Sequence, residues 1–143
     1  MIFLDTNVLS ETLKPSPHPM VIEWLVAHDA ELALPSVTIA ELAYGIERVR
    51  PEQRALRLSH GLTAWLDRFR DRIFPFNKAA ALVYGEIMGS CARLGRPMSV
   101  PDGMIAATAR INSAALATRN VSDFRETGLV LRNPWMPAGS RED

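Results

Sequence analysis

The chain has 143 residues and a mass of 15.9 kDa, the length of one compact domain able to bury its own core. Apolar residues make up 48% and charged residues 22%, a globular composition that excludes disorder, and the single cysteine, Cys91, excludes an internal disulfide framework. Sixteen basic residues balance sixteen acidic ones, so the net charge is zero and bulk electrostatic capture of nucleic acid is excluded, although a local basic face is not.

In chain order, Ile2-Phe3-Leu4 is a short apolar run ended by Asp5-Thr6-Asn7, which predicts a buried first strand. An acid at position 5 and no basic start are unlike a secretory signal, and no apolar run approaches the ~20 residues of a membrane span, so a cytoplasmic protein is expected. Pro15, Pro17 and Pro19 mark a loop, and residues 21–27 carry a short helical pattern with Val21, Ile22, Leu25 and Val26 on one side. Residues 31–34 read as a second strand, stopped by Pro35. From Thr38, Ile39, Leu42, Ala43, Ile46 and Val49 recur at helical spacing. Pro51 separates that helix from a longer one striped by Leu58, Leu62, Trp65, Leu66 and Phe69, a face expected to turn toward the core.

Residues 72–76 suit a third strand. The next helix places Ala79, Val83, Ile87, Cys91 and Leu94 on one face, with Gly95 just past its end. Residues 101–111 form a short Ala-rich helix, 114–118 a fourth strand and 129–131 a weak fifth. Short strands alternating with helices predict crossover units, and hence an α/β domain with a parallel sheet and helices on both faces. The expected domain covers 1–135, with 136–143 as a flexible tail.

Ligands of an open parallel sheet gather outside the carboxyl ends of its strands. Four acids are expected at that rim: Asp5 after strand one, Glu41 after strand two, Asp102 in the helix before strand four, and Asp123 after strand four. Thr38 with Glu41 and Ser99 with Asp102 have the spacing of a capping box, and Asn120 with Asp123 resembles it. Taken singly, these three acids are explained by helix capping. Asp5 is not, because no helical pattern calls for a cap there. Together, four converging carboxylates would repel one another unless a cation neutralised them. That oxygen-rich set suits Mg²⁺ or Mn²⁺, with Thr6, Asn7, Thr118 and Asn120 placed to orient it.

His18, His28 and His60 are scattered and read as surface or structural residues, and Cys91 as a core residue. The sequence has no Gly-rich phosphate loop and no Gly-x-Ser-x-Gly elbow. Position 7, where an aspartyl phosphotransferase wants a second acid, is Asn, and neither Lys14 nor Lys78 suits a receiver domain. Metal-assisted hydrolysis of a phosphodiester survives these eliminations.

Four segments carry a resemblance. They are Ile2-Phe3-Leu4-Asp5-Thr6-Asn7-Val8-Leu9-Ser10-Glu11, Pro35-Ser36-Val37-Thr38-Ile39-Ala40-Glu41-Leu42, the Ala-rich stretch from Pro101-Asp102-Gly103-Met104 to Ala109, and Leu116-Ala117-Thr118-Arg119-Asn120-Val121-Ser122-Asp123-Phe124. In that order they resemble the motif blocks of the PIN domain, and most of all the VapC and FitB-like toxins of bacterial type II toxin–antitoxin modules.

The resemblance implies a parallel five-stranded sheet and an Mg²⁺- or Mn²⁺-dependent endoribonuclease. Asp5, Glu41, Asp102 and Asp123 match the acidic quartet; Asn7 and Thr118 match polar positions of the pocket. Pro101 stands where many relatives have Ala, and proline is comfortable in a first helical turn. The implied mechanism is in-line attack by metal-activated water. Asp5 and Asp102 are the expected direct ligands, with Glu41 and Asp123 binding directly or through water.

Also implied are a homodimer and an inhibitory antitoxin that carries the DNA-binding module. With zero net charge, RNA must meet a local basic surface, and Arg48, Arg50, Arg54 and Arg57 are candidates. The alternatives are a housekeeping RNA-processing nuclease of the same fold, and a non-enzymatic binding module whose acids only cap helices.

Overall fold

The computed structural model describes residues 1–140; positions 141–143, the end of the expected tail, lie outside the described residues. Five strands, β1 (Ile2–Leu4), β2 (Leu32–Pro35), β3 (Ile73–Phe74), β4 (Ala115–Ala117) and β5 (Leu131–Arg132), form one sheet. All four pairings are parallel, in the order β3-β2-β1-β4-β5. The helices are α1 (Thr6–Thr12), α2 (Pro19–His28), α3 (Ser36–Arg48), α4 (Gln53–Arg68), α5 (Lys78–Arg93) and α6 (Val100–Ile111), with 3₁₀ segments at Asp29–Glu31 and Val121–Thr127. Among the described residues no helix is long and apolar enough to cross a membrane.

Side chains alternate across the strands, so each strand feeds two cores. Ile2, Leu4, Leu32, Leu34 and Ala117 pack with α1, α2 and Phe69, and with Leu58, Leu62 and Trp65 of α4. Phe3, Ala33 and Leu116 pack with α5, α6 and Phe124 on the opposite face. Phe3, Phe69 and Phe124 are fully buried, and each contributes roughly 2–3 kcal/mol of hydrophobic stabilisation. The stripe on α4 therefore faces inward, as its spacing predicts. Gly103 lets α6 lie against α5, because a Cβ there would collide with Met88 and crowd Tyr84 at 3.0 Å.

The structure departs from the sequence reading in several places, among them the third and fifth strands, read at 72–76 and 129–131 and found at Ile73–Phe74 and Leu131–Arg132. Residues 6–12 form α1, for which seven residues gave too little periodicity. α3 starts at Ser36, two residues before Thr38, with Pro35 at its N-cap. On α2 only Val21 and Leu25 are buried, while Ile22 and Val26 are exposed. On α5 the predicted stripe meets the core at Val83, Ile87 and Cys91 but fails at its ends: Ala80 is buried in place of Ala79, and Ala79 and Leu94 face solvent.

The strand order reverses at β1: the chain builds outward through β2 and β3, then returns to β1's other side as β4 and β5. The carboxyl ends of β1 and β4 flank that reversal, where an open α/β sheet leaves a crevice. Leu4 pairs with Ala117, and the Asp5 N–H donates to the Ala117 carbonyl at 2.9 Å. Asp5 and Thr118 are thus the first residues past the paired ends of adjacent strands.

Candidate active site

Asp5 is the N-cap of α1, which corrects the reading that no helix requires an acid there. Its Oδ1 accepts from the Thr6 N–H at 2.8 Å, satisfying one orphan donor of the first turn. Its Oδ2 accepts from the Thr118 hydroxyl at 2.7 Å and the Asn7 Nδ2 at 3.3 Å. Asn7 also donates to Thr118 Oγ1 at 3.4 Å, and Thr118 accepts the Asn120 N–H at 3.0 Å. Thr6, Asn7, Thr118 and Asn120 thus form one network behind Asp5, joining α1 to the end of β4.

Glu41 arrives from α3, which touches both layers: Val37 packs with α5 and α6, Leu42 with α1 and α2. Its Oε1 accepts the Thr6 hydroxyl at 2.6 Å. Thr38 forms no capping box with Glu41, since its hydroxyl donates to the Leu4 carbonyl at 2.9 Å and so ties α3 to β1. Asp102 sits in the first turn of α6 and its N–H donates to Ser99 Oγ at 3.3 Å, the N-cap its spacing predicts. Asn120 makes no side-chain cap bond, so the Asn120–Asp123 resemblance does not hold.

Asp5, Glu41 and Asp102 line one open pocket of about 390 Å³ together with Thr6, Asn7, Ser10, Glu11, Lys14, Arg119, Asn120 and Trp135. Asp123 opens into the adjoining groove, which shares Asp102 with the first. Asp5 is 4% exposed, yet among the described residues no cation pairs with it or with the other three acids. Burial, aided by the charges of Asp102 and Glu41, raises the Asp5 carboxyl from 3.8 to about 6 against the pull of its hydrogen bonds. Burial also raises Asp102, with Glu41 and Asp123 adding repulsion.

Hard oxygen donors, mutual repulsion and no resident cation fit a divalent ion in chemistry. Among the described residues, however, no group of three or more His, Cys, Asp or Glu side chains is arranged to hold a metal as it stands. The carboxylates converge on the pocket without closing a cage.

The four arginines named from sequence lie elsewhere. α3 leaves the rim at Ser36, so Arg48 is seven residues beyond Glu41, roughly 10 Å along the helix. Arg48 covers the Tyr44 ring, Arg50 pairs with Glu47 and Arg54 with Glu52. Arg57 is exposed, and none of the four lines the acidic pocket. The cations that do are Lys14 and Arg119. Arg119 adjoins Thr118 in the fourth motif block, a usable signal; nothing in the sequence points to Trp135.

Comparison with known proteins agrees with this architecture. The PIN domain family model matches residues 2–129. The chain is 36% identical to Toxin FitB of Neisseria gonorrhoeae over 137 residues, 94% of this chain and 99% of the relative. It is 36% identical to VapC ribonuclease Y4jK of Sinorhizobium fredii, covering 96% and 100%. Among solved structures, FitAB bound to an IR36 DNA fragment superposes with a TM-score of 0.88 at 32% identity, covering 99% of this chain and all of that one. Nucleases of this kind generally depend on a divalent metal. The chain belongs to the PIN domain family and is a VapC/FitB-like member of it.

Proposed function

We propose that this chain is the toxin of a type II toxin–antitoxin pair, an endoribonuclease that hydrolyses RNA phosphodiester bonds with Mg²⁺ or Mn²⁺. The observation that carries this reading is a buried carboxylate, Asp5, facing Glu41 and Asp102 across one pocket with no protein cation on any of them. Asp5 and Asp102 would hold the ion, and Glu41 and Asp123 would bind it directly or through water. When bound, the ion supplies charge neutralisation at the phosphate and lowers the pKa of the attacking water.

The chain's own residues do the rest. The Thr118 and Asn7 donors fix Oδ2 of Asp5, and the Thr6 hydroxyl fixes Oε1 of Glu41. The orientations of these two carboxylates are therefore fixed before any ligand arrives. Positioned acids of this kind also accept and return protons during in-line displacement. Arg48, Arg50, Arg54 and Arg57 are proposed as RNA contacts beyond the pocket.

An antitoxin that blocks the pocket and carries the DNA-binding module is supported by the likeness to FitAB bound to DNA. The proposal includes a cytoplasmic homodimer. A purely structural role for the acids is disfavoured, because the carboxylates of Glu41 and Asp123 cap no helix. The test is cleavage of total RNA by the purified chain, with magnesium or manganese and with chelator. Metal-dependent cleavage absent from the Asp5→Asn variant is expected. Equal cleavage by both proteins, or none with either metal, overturns the reading.

A further inference from the structure

Arg119 stands apart from the arginines of the α3–α4 turn. Its Cζ lies 5.1 Å over the Trp135 ring, and among the described residues it has no acidic partner within bridging distance. Arg50 and Arg54, by contrast, are neutralised by Glu47 and Glu52. Lys14, the other cation of the pocket, is tied to Glu11 at 2.6 Å. Arg119 is also fixed to the acidic centre. Its backbone N–H donates to Asn7 Oδ1 at 3.3 Å, and it directly follows Thr118, whose hydroxyl donates to Asp5. Trp135 packs against the apolar layer that contains α1, and its backbone N–H donates to Asn133 Oδ1 at 3.0 Å. β4 and β5 run side by side, so the segments following them meet at the rim although these residues are sixteen apart.

We propose that the Arg119–Trp135 stack is the docking point for the nucleotide next to the scissile phosphate of a single-stranded RNA. A base lies on the stack, and the guanidinium N–H edge takes a backbone phosphate. Asp5, Glu41 and Asp102 repel a phosphodiester, so the approach needs a cation in the same pocket that no salt bridge holds; among the described residues Arg119, whose charge reaches Glu11 without bridging to it, is that cation. An aromatic ring with a guanidinium against it is the surface on which proteins stack unpaired bases. Bases inside a duplex are not available to it, which selects single strands. The inference rests on the ribonuclease reading.

The test measures binding of a short single-stranded RNA to the Asp5→Asn chain over a range of salt, with Arg119→Ala, Trp135→Phe or Trp135→Leu added. Arg119→Ala is expected to weaken binding about tenfold and to lower the salt slope by about one. Trp135→Leu weakens it about tenfold at unchanged slope, and Trp135→Phe recovers most of the loss, which separates stacking from packing. In the active chain the same substitutions raise KM with kcat within about twofold. An abasic site at one nucleotide beside the cut cancels the Trp135→Leu effect. Unchanged RNA binding in both variants overturns the proposal, as does a loss confined to binding of a protein partner. If the active chain cuts RNA and neither substitution matters, this inference alone falls. If it cuts nothing while both substitutions weaken binding, the ribonuclease reading falls and the stack is left as a single-strand binding site without a scissile bond beside it.

Discussion

Asp5 and Glu11 lie at opposite ends of α1, and both are buried, at 4% and 6% exposure. Helix electrostatics alone would favour the charge on Asp5, at the N-terminal end, and disfavour it on Glu11, by roughly 0.3–1 kcal/mol each. The structure has the reverse order. Glu11 accepts from Lys14 Nζ at 2.6 Å and the His18 N–H at 3.0 Å, and the ammonium holds its carboxyl below the ordinary range. Asp5 has neutral donors only, and its carboxyl is raised to about 6. Neighbouring charge and burial outweigh a seven-residue helix's dipole. One end of α1 is closed electrostatically by the fold; the other is left short of a cation.

The largest test of that contrast is Asp5→Asn. RNA cleavage should fall about a thousandfold, roughly 4 kcal/mol of transition-state stabilisation. Metal-free stability above pH 7 should rise by up to about 3 kcal/mol, because a buried charge is removed. Single-turnover cleavage and urea unfolding read the two effects; a less stable variant would break the comparison.

The pH dependence of the same group comes next. The folded state holds the Asp5 proton more tightly than the unfolded chain. Stability from this group is therefore greatest below pH 3.8 and falls as pH rises through about 6. The difference in unfolding free energy between the wild-type chain and Asp5→Asn should decline by up to about 3 kcal/mol across that window. Millimolar magnesium should flatten the decline. Glu11 has the opposite sign: its contribution is present above 4.5 and is lost as pH falls through its lowered folded value.

Glu11→Gln should cost about 1–3 kcal/mol in urea unfolding, since it strips Lys14 of its partner and weakens the acceptor for His18. No loss would show that α1's closed end is not held by charge. Thr118→Val removes the hydroxyl that lowers the Asp5 carboxyl, so the acid limb of the rate–pH profile should move upward by about one pH unit. A downward shift would contradict the assigned bond.

The smallest effects belong to the exposed pairs Arg50–Glu47 and Arg54–Glu52. Replacing either arginine by alanine should change stability by less than about 0.5 kcal/mol. A salt slope of RNA binding that does not drop would remove both from the RNA path.

Much of the fold is legible in the chain. Short apolar runs at Ile2-Phe3-Leu4 and Leu32-Ala33-Leu34, helical stripes between them, and Ser99 before Asp102 all take the forms their local patterns predict. Legibility fails where partners are distant. Thr38 has the spacing of a cap, but its hydroxyl is taken by the Leu4 carbonyl. Asp5 looks uncapping because Thr6–Thr12 is too short to register as a helix. The α5 stripe is misread only at its ends, Ala79 and Leu94, since a helix rich in alanine and glycine has a weakly marked apolar side.

By itself, the sequence determined the order of the strands and of every α-helix but α1, and the parallel architecture, because these follow from periodicity and local spacing; its four acids stand in segments that resemble the PIN motif blocks. Only the tertiary structure decided that Asp5, Glu41 and Asp102 share one pocket while Asp123 opens into the next. It also decided that Arg119 meets Trp135 and that Glu11, not Asp5, receives the cation. Strand pairing and helix docking set which distant residues become neighbours, and burial then fixes how strongly their charges interact.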